Sequence, residues 1–304
     1  MYDIIIVGAG PAGLTAALYA RRAEKTALLI ERSTFGGQIT HSPRVENYPG
    51  FLAMSGNEFA EKLLEQVITH GVEIELDEVK SVEKSDTGYL VITENNAFEA
   101  KSVIIATGSR HRPLGIERED EFVGEGISYC AVCDGAFYKG KTVAIIGGGN
   151  TALQEAVLLS ETAKKVYVIQ NLAFFTGEES LINNIKARAN VEIILSHTVA
   201  RLVGDSEIKG IVIKNELGAE REISVDGIFV AIGQIPENTP FAPLVELDEC
   251  GYIVSGEDCL PKTAQNGIFV AGDCRTKSVR QVTTATADGA VAALSACRYI
   301  DSLN

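Results

Sequence analysis

The sequence predicts an α/β protein in which one strand-helix-strand unit of the nucleotide-binding type is inserted into another. Short apolar strands alternate with amphipathic helices, which is typical of parallel sheets. A glycine-rich turn joins a strand to a helix twice, at 8–13 and at 147–152. These two turns lie 139 residues apart, as do Glu31 and Gln170, which end the strands that follow them. The repeat predicts two equivalent Rossmann-like folds.

The predicted elements of the first fold follow in order from the amino terminus. Strands at 3–7 and 26–30 flank a helix over 13–24, and a second helix over 57–70 ends at Gly71, because glycine commonly terminates a helix. The further segments predicted as strands are 72–76, then the hairpin-like 79–84, 89–93 and 97–101, and finally 102–106.

The second fold repeats this pattern and is enclosed by the first. Strand 141–146, helix 151–161 and strand 165–170 surround its glycine turn. The carboxyl-terminal strand 268–271 and helix 285–299 have no third nucleotide fold to join, so they are predicted to complete the first. The expected domains are an outer one, 1–112 with 241–304, and an inserted one, 113–240, with boundaries near Pro113 and Pro240.

Composition narrows the possible partners. The chain has 304 residues, with 27 Lys and Arg against 41 Asp and Glu, a formal net charge of −14. This charge disfavours binding to nucleic acid or to anionic membranes, so small molecules and proteins are the expected ligands. The first residues lack a basic segment and read as a buried strand, and no stretch of about twenty apolar residues is free of charges and glycine turns. A cytoplasmic location is therefore expected.

The first glycine turn is typical of a dinucleotide site. Gly8-Ala9-Gly10-Pro11-Ala12-Gly13 follows a strand and opens a helix, where backbone N–H groups can bind a pyrophosphate. Glu31 ends the next strand, where a carboxylate can accept hydrogen bonds from ribose hydroxyls. The alternative is a tight turn followed by a surface glutamate.

The second glycine turn, Gly147 to Ala152, lacks the residues that select a nucleotide. The strand after it ends in 170–176, Gln-Asn-Leu-Ala-Phe-Phe-Thr, without an acid for a 2′-hydroxyl or a base for a 2′-phosphate. The next charges, Glu178 and Glu179, repel a phosphate. Phe174 and Phe175 either pack in the core or occupy space that a nicotinamide dinucleotide needs. We interpret this second site as vestigial.

Cys130 and Cys133 are the only cysteines spaced closely in the sequence. Two thiols separated by two residues can form a disulfide, and a thiolate is the attacking species in thiol exchange. A zinc site needs two further ligands, which neither the other cysteines nor the four histidines supply as a close pair. No metal is expected, although two inert core cysteines remain an alternative. Asp134 either transfers a proton or begins the turn at Gly135.

A third cluster of motifs lies near the carboxyl terminus. Gly272-Asp273-Cys274 follows a strand, where an aspartate can bind a ribityl hydroxyl, and 280–283 precedes a helix whose positive end can face a flavin. Cys274 is expected to be a small buried thiol rather than a second redox centre.

Taken together, these motifs resemble the low-molecular-weight thioredoxin reductase family of flavoproteins over essentially the whole chain. The resemblance is specific at 8–13, at Gly36-Gly37-Gln38, at the cysteine pair with Asp134-Gly135, at 147–152, and at Gly272-Asp273 with Arg280-Gln281. It implies a homodimer, FAD in the outer domain, a mobile inner domain with a Cys130–Cys133 disulfide, Asp134 as proton donor, and thioredoxin as the protein reduced. The residues expected to bind FAD are Gly8, Gly10, Pro11, Ala12, Gly13, Glu31, Arg32, Gly37, Gln38, Asn47, Val79, Ala106, Thr107, Gly108, Gly272, Asp273, Arg280, Gln281 and Val282.

One departure from the family decides the expected electron donor. Members that use NADPH carry a His-Arg-Arg run and a further Arg where this chain has Gln170, Asn171, Leu172 and Thr176. The combination resembles the ferredoxin-dependent flavin thioredoxin reductases, so ferredoxin is the expected donor. The alternatives are an NAD(P)H-dependent thioredoxin reductase with atypical nucleotide contacts and a flavin-bearing sensor without turnover.

Ferredoxins are usually acidic, so basic clusters must steer docking to a chain of this charge. The candidate residues are Arg110, His111, Arg112, Lys139, Lys141, Arg275, Lys277 and Arg280, which are otherwise explained as solvated loop charges.

Overall fold

The computed structural model describes residues 1–42, 44–261 and 266–303. The chain divides into two compact units, an outer unit of Met1–Arg110 with Ile235–Asn304 and an inner unit of His111–Gln234. The sequence placed the second junction later, at Pro240. The segment from Ile235 instead belongs to the outer unit because the side-chain amide of Asn238 donates hydrogen bonds to the carbonyl oxygens of Gly251 and Cys274, at 2.9 and 2.7 Å.

Strands and helices alternate along much of the described chain. The strands are β1 (Tyr2–Val7), β2 (Ala27–Glu31), β3 (Glu73–Leu76), β4 (Val79–Ser85), β5 (Gly88–Thr93), β6 (Ala97–Ile105), β7 (Ser109–His111), β8 (Ile127–Ser128), β9 (Thr142–Ile146), β10 (Lys165–Ile169), β11 (Val191–Ile194), β12 (His197–Val203), β13 (Gly210–Asn215), β14 (Glu220–Ser224), β15 (Gly227–Val230), β16 (Gln234–Pro236) and β17 (Ile268–Val270). The α-helices are α1 (Pro11–Arg22), α2 (Gly56–Thr69), α3 (Glu119–Phe122), α4 (Ala131–Asp134), α5 (Asn150–Ser160), α6 (Glu179–Lys186) and α7 (Val282–Asp301). Short 3₁₀ turns lie at Gly37–His41, Gly135–Tyr138, Thr239–Phe241 and Gly272–Cys274.

The outer unit is built on a mixed sheet. Its described strands follow the order β3-β2-β1-β6-β5-β4, and β17 also pairs with β6. The pairs around β1 and β2 are parallel, whereas β4, β5 and the first half of β6 are antiparallel. The sequence predicted two strands, 97–101 and 102–106, where the structure has the single strand β6. The chain does not break there, because β6 only exchanges its neighbour β5 for β17 after Ala100.

Helices α1 and α7 cover one face of this sheet through small residues. A Cβ at Gly289 of α7 would lie 2.2 Å from the carbonyl oxygen of Ala12 in α1. Only glycine therefore permits this approach of the two backbones. Helix α7 begins three residues before the prediction, because Gln281 and Thr284 form a capping box in which each side chain bonds the other's backbone.

The inner unit repeats the α/β pattern. Within the described chain its five-stranded parallel sheet has the order β11-β10-β9-β15-β8, and β12, β13 and β14 form a separate antiparallel sheet. Strands β9 and β10 and helix α5 correspond to the predicted second fold. The two sheets and their helices confirm the predicted fold class of two Rossmann-like folds. Among the described residues, no helix is both long and apolar enough to cross a membrane.

Candidate functional site

A cavity of about 650 Å³ opens in the outer unit where the parallel strands end. This is the edge at which ligands bind in doubly wound sheets. All but three of the residues expected to bind FAD line it: Gly8, Gly10, Pro11, Ala12, Glu31, Arg32, Gly37, Gln38, Val79, Ala106, Thr107, Gly108, Gly272, Asp273, Gln281 and Val282. The structure therefore brings together residues that lie up to 274 positions apart in the sequence.

The three exceptions, Gly13, Asn47 and Arg280, lie outside the lining. Gly13 is buried beneath the glycine turn. Asn47 donates a hydrogen bond to the side-chain oxygen of Gln281 at 3.2 Å. The guanidinium of Arg280 lies 4.2 Å from the centre of the Tyr252 ring. The contact of these three residues with the cofactor stays a prediction; the Nε of Arg280 is buried and has no hydrogen-bond partner among the described residues.

The glycine turn brings the backbones of β1, β6 and α1 together. Gly8 has a φ of 103°, in the left-handed region, and a Cβ there would lie 2.4 Å from the carbonyl oxygen of Ala106. A Cβ at Gly13 would lie 1.8 Å from the carbonyl oxygen of Gly8. These close approaches place the amino-terminal end of α1, with its free N–H groups, against the cavity. The arrangement fits a bound pyrophosphate.

Glu31 closes the same turn from the end of β2. Its Oε2 accepts the backbone N–H of Ala9 at 2.7 Å, and its Oε1 accepts the N–H of Ser33 at 3.0 Å. Oε1 also accepts the Ser33 hydroxyl at 3.4 Å, whereas Oε2 can accept a further hydrogen bond. The predicted bond to a ribose hydroxyl therefore has an acceptor, and it stays a prediction.

Asp273 provides a buried acceptor at another wall of the cavity. Burial raises the pKa of its carboxyl, and its Oδ1 has no hydrogen-bond partner among the described residues. A buried polar atom without a partner is costly, so a hydroxyl-bearing group in this cavity would satisfy it. This observation shows that the residues present fit a flavin with its ribityl chain.

Arg275 and Lys277 do not form the predicted docking surface. The Asp288 carboxylate on α7 accepts two hydrogen bonds from the Arg275 guanidinium and one from the Lys277 ammonium, at 3.0, 3.0 and 2.9 Å. Arg275 is only 3% exposed. Burial of the pair makes both cations part of the core of the outer unit, whereas the sequence could not show that Asp288 lies opposite them.

Sequence reasoning missed several residues of the cavity wall. Asp77, Glu78, Glu237, Thr239 and Phe241 line it. Glu237 forms ion pairs with Arg32 and with Arg110. The segment 235–241 carries no sequence motif, so nothing local indicated that it lines the cavity.

The inner unit carries a disulfide between Cys130 and Cys133, whose Cα atoms are 5.3 Å apart. Cys130 precedes the single turn α4, and the Cys133 backbone N–H contacts the Cys130 sulfur at 3.2 Å. In the described chain, no group of three His, Cys, Asp or Glu side chains is placed to hold a metal ion. The short ring is held on a helical turn and is half-buried.

Asp134 lies directly after this pair. Its Oδ2 accepts the Ser128 hydroxyl at 2.6 Å, and Ser128 in turn accepts the backbone N–H of Cys130 at 3.1 Å. Burial raises the pKa of Asp134, although the bond from Ser128 acts in the opposite direction. A raised pKa suits a carboxyl group that holds a proton next to thiols.

A second cavity of about 710 Å³ lies at the glycine turn of the inner unit. A Cβ at Gly148 would lie 2.5 Å from the side-chain carboxamide of Gln170, so this side chain covers the turn. In the described lining the basic side chains are limited to Arg112 and His197. Neither Phe174 nor Phe175 lines the cavity, and Phe174 is 62% exposed. Phe174 is therefore not packed in the core, whereas Phe175 packs against the hydrophobic core of the inner unit. Whether either side chain occupies space that a dinucleotide needs stays a prediction.

A carboxylate stands near the amino-terminal end of α5. The Asn150 side chain accepts the backbone N–H of Glu178 at 2.7 Å and donates to the Glu178 carboxylate at 3.2 Å. The negative charge of Glu178 lies close to the position that a nucleotide phosphate takes in this fold. Segment 171–178 therefore brings a negative charge and no basic side chain to the second glycine turn.

Comparisons with known proteins match nearly the whole chain to one protein family. The family model described as "Pyridine nucleotide-disulphide oxidoreductase" matches residues 2–289. "Thioredoxin reductase" of Treponema pallidum is 40% identical, covering 99% of this chain and 98% of that protein. The "34.2 kDa protein in rubredoxin operon" of Clostridium pasteurianum is 38% identical, covering 98% and 97%. The crystal structure of thioredoxin reductase from Streptococcus pyogenes has a TM-score of 0.94 at 36% identity and covers 99% of both chains.

Proposed function

Since the chain belongs to the pyridine nucleotide-disulphide oxidoreductase family, as an FAD-dependent disulfide reductase of the thioredoxin reductase type, we propose that its protein substrate is thioredoxin. The relatives from Treponema pallidum and Streptococcus pyogenes are named thioredoxin reductase, and the half-buried disulfide has the spacing that thiol exchange needs. A thiolate of the reduced pair attacks the thioredoxin disulfide and forms a mixed disulfide, and the second cysteine then attacks this bond and releases reduced thioredoxin. Two electrons and two protons pass to thioredoxin, and Cys130–Cys133 is oxidised again.

In this proposal the two units divide the work. The cavity residues of the outer unit, from Gly8 to Val282, hold FAD, which supplies electron transfer when bound. Cys130 and Cys133 in the inner unit are the redox pair, and Asp134 donates the proton. The homodimer and the cytoplasmic location stay predictions.

We propose reduced ferredoxin as the electron donor. The single observation that carries this is the absence of arginine and lysine from segment 170–176, which borders the second cavity. A 2′-phosphate needs arginine or lysine partners. At the positions where the resemblance places these basic residues, this chain has Gln170, Asn171, Leu172 and Thr176. Glu178 adds a repulsive charge. The relative from C. pasteurianum is named for a rubredoxin operon, which associates it with a one-electron iron carrier.

The second candidate donor is NADH or NADPH. It is favoured by the family description and by the relatives' name, which mentions no ferredoxin. The intact Gly147 turn and the cavity of about 710 Å³ also favour it. Arg112 is the one arginine that lines this cavity among the described residues.

An anaerobic spectroscopic experiment separates the two donors. Flavin absorbance is followed after adding NADH, NADPH or reduced ferredoxin, and oxidised thioredoxin is then added. We expect rapid bleaching by ferredoxin alone and recovery with thioredoxin. Rapid bleaching by either nicotinamide would reverse the choice of donor, and the absence of recovery would remove thioredoxin as the substrate.

A gain-of-function variant supplies the matched control. Asn171→Arg with Leu172→Arg and Thr176→Arg restores cations at the second cavity. We expect NADPH to bind at least about tenfold more tightly, since charge-assisted bonds to phosphate contribute about 1.5–3 kcal/mol each. Binding is measured by calorimetry. An unchanged affinity would show that missing cations do not explain the donor preference.

The ferredoxin-docking surface is tested at Lys139 and Lys141. Both side chains are exposed, and both follow the turn that carries the disulfide. Arg110 is a poorer choice because its guanidinium pairs with Glu237 at 3.3 Å. Lys139→Glu with Lys141→Glu is expected to slow reduction by ferredoxin most at low salt and to leave reduction by dithionite unchanged. Lys84→Glu, at an exposed lysine, serves as the charge control. If both variants slow reduction by ferredoxin equally, Lys139 and Lys141 do not form the docking surface.

A further inference from the structure

A second buried carboxyl group lies against the turn that holds the disulfide. Glu155 on α5 is 8% exposed, and its Oε1 accepts the backbone N–H of Ala131 at 3.1 Å. Ala131 directly follows Cys130 and opens the turn that carries Cys133. Glu155 therefore fixes the first free N–H group of α4, which would otherwise be buried without a partner.

Glu155 and Asp134 are bonded in the same unusual way. Each carboxyl has one oxygen that accepts a hydrogen bond, from Ala131 or from Ser128. The other oxygen of each, Glu155 Oε2 and Asp134 Oδ1, is buried without a partner in the described part of the chain. A buried carboxylate in this situation is costly, whereas its protonated form carries no charge to desolvate.

Burial raises the pKa of Glu155 to about 7, and the nearby charge of Asp134 adds to this, while the bond from Ala131 opposes it. The other elements packed on α5 bring apolar residues: Val143 from β9, Val168 from β10, and Ile182 and Ile185 from α6. Tyr138 belongs to the same cluster, but burial raises its pKa to about 12, so it stays neutral. In the described part of the chain, the charge that acts on Glu155 is that of Asp134, and the cysteine pair adjoins Glu155 through Ala131.

We propose that Glu155 is a positioning residue for the Cys130–Cys133 pair that also stores a proton, binding it when the disulfide is reduced and releasing it on reoxidation. This rests on the proposed role of that pair. Reduction breaks the S–S bond with two electrons from the reduced cofactor; one sulfur binds a proton, the other becomes a thiolate, and Glu155 binds the second proton. A thiolate close to Glu155 favours this uptake because like charges repel.

The test is the equilibrium of the disulfide with dithiothreitol in the FAD-loaded protein. Free thiols are alkylated at pH 6 and pH 8 and counted by mass. Glu155→Gln keeps an oxygen for the Ala131 N–H and removes the charge. We expect the variant to match the wild type at pH 6 and to be reduced more readily at pH 8, by up to about tenfold, because pH 8 lies about one unit above the pKa of Glu155 in the oxidised protein.

Control variants separate proton storage from structure. Glu161→Gln removes an exposed carboxylate at the carboxyl end of the same helix and should change neither value. Asp134→Asn should lower the pKa of Glu155 and move the pH at which Glu155→Gln and wild type diverge. Identical wild-type and Glu155→Gln constants at both pH values, or an equal offset at both, would overturn the proposal. The dithiothreitol experiment contains neither ferredoxin nor thioredoxin, so a negative result for Glu155 does not contradict the proposed function. Likewise, a failure of ferredoxin or thioredoxin to react does not contradict the role of Glu155.

Discussion

Replacing Asp288 with asparagine tests the buried ion network of the outer unit. The Asp288 carboxylate accepts hydrogen bonds from Arg275, Lys277 and the backbone N–H of Gly272, the last at 3.0 Å. Burial alone would raise the pKa of Asp288, but the bonds from Arg275 and Lys277 hold it below its usual value. Asparagine preserves the shape, leaves the buried Arg275 without the carboxylate that pairs with it, and leaves Lys277 with Asp273 alone, whose Oδ1 lies 3.9 Å from the Lys277 ammonium.

The expected loss follows from that uncompensated charge. Removing one partner of a buried ion pair costs about 3–5 kcal/mol, a large share of the usual stability of a domain. With a urea dependence of about 3 kcal/mol per M, the unfolding midpoint falls by about 1–2 M. Because Asp288 also binds Gly272 in the cavity wall, the variant should release FAD more readily.

The assay is urea unfolding at pH 7, followed by circular dichroism and by flavin fluorescence. Asp301→Asn is the matched control, since Asp301 lies on the same helix and forms an exposed ion pair with Lys25; its expected cost is below about 1 kcal/mol. The contribution of Asp288 is present above the unfolded pKa of about 4 and is lost as the pH falls through the lowered folded value. A loss below about 1 kcal/mol for Asp288→Asn would refute the reasoning.

Three further predictions use single substitutions. Gly13→Ala should lower both the unfolding midpoint and the FAD content, because its Cβ would lie 1.8 Å from the Gly8 carbonyl oxygen. The Cβ of Gly10→Ala meets no protein atom within 4 Å, so this variant should keep the fold and bind FAD less tightly. A folded Gly13→Ala protein with full FAD content would contradict this prediction. Cys133→Ser should remain yellow and lose all thioredoxin reduction, and residual turnover would exclude the assigned pair. Because the folded pKa of Glu155 is raised from 4.5 to about 7, wild-type stability should fall as the pH rises between these values, and Glu155→Gln should remove that decrease in urea unfolding.

Local patterns were sufficient for the fold class and for most of the cavity. The strand, glycine turn and helix at 2–22 can be read from local sequence, because Gly13 approaches the carbonyl oxygen of Gly8 within the same turn. The approach of Gly8 to Ala106 on β6 required the folded sheet. The spacing of Cys130 and Cys133 allows a disulfide within one helical turn. Strand β6 shows the limit, since its apolar and polar halves read as two strands until its change of neighbour is known.

The two nucleotide folds, the glycine cradles, the cysteine pair and the missing bases after β10 could all be read from the amino-acid sequence, because each depends on residues close together in the chain. Which distant charges meet was settled by the folded chain alone. Folding paired Arg275 and Lys277 with Asp288, placed segment 235–241 at the cavity, and set Glu155 against Ala131. Burial and ion pairing depend on side chains that different elements bring together, and local periodicity carries no information about those meetings.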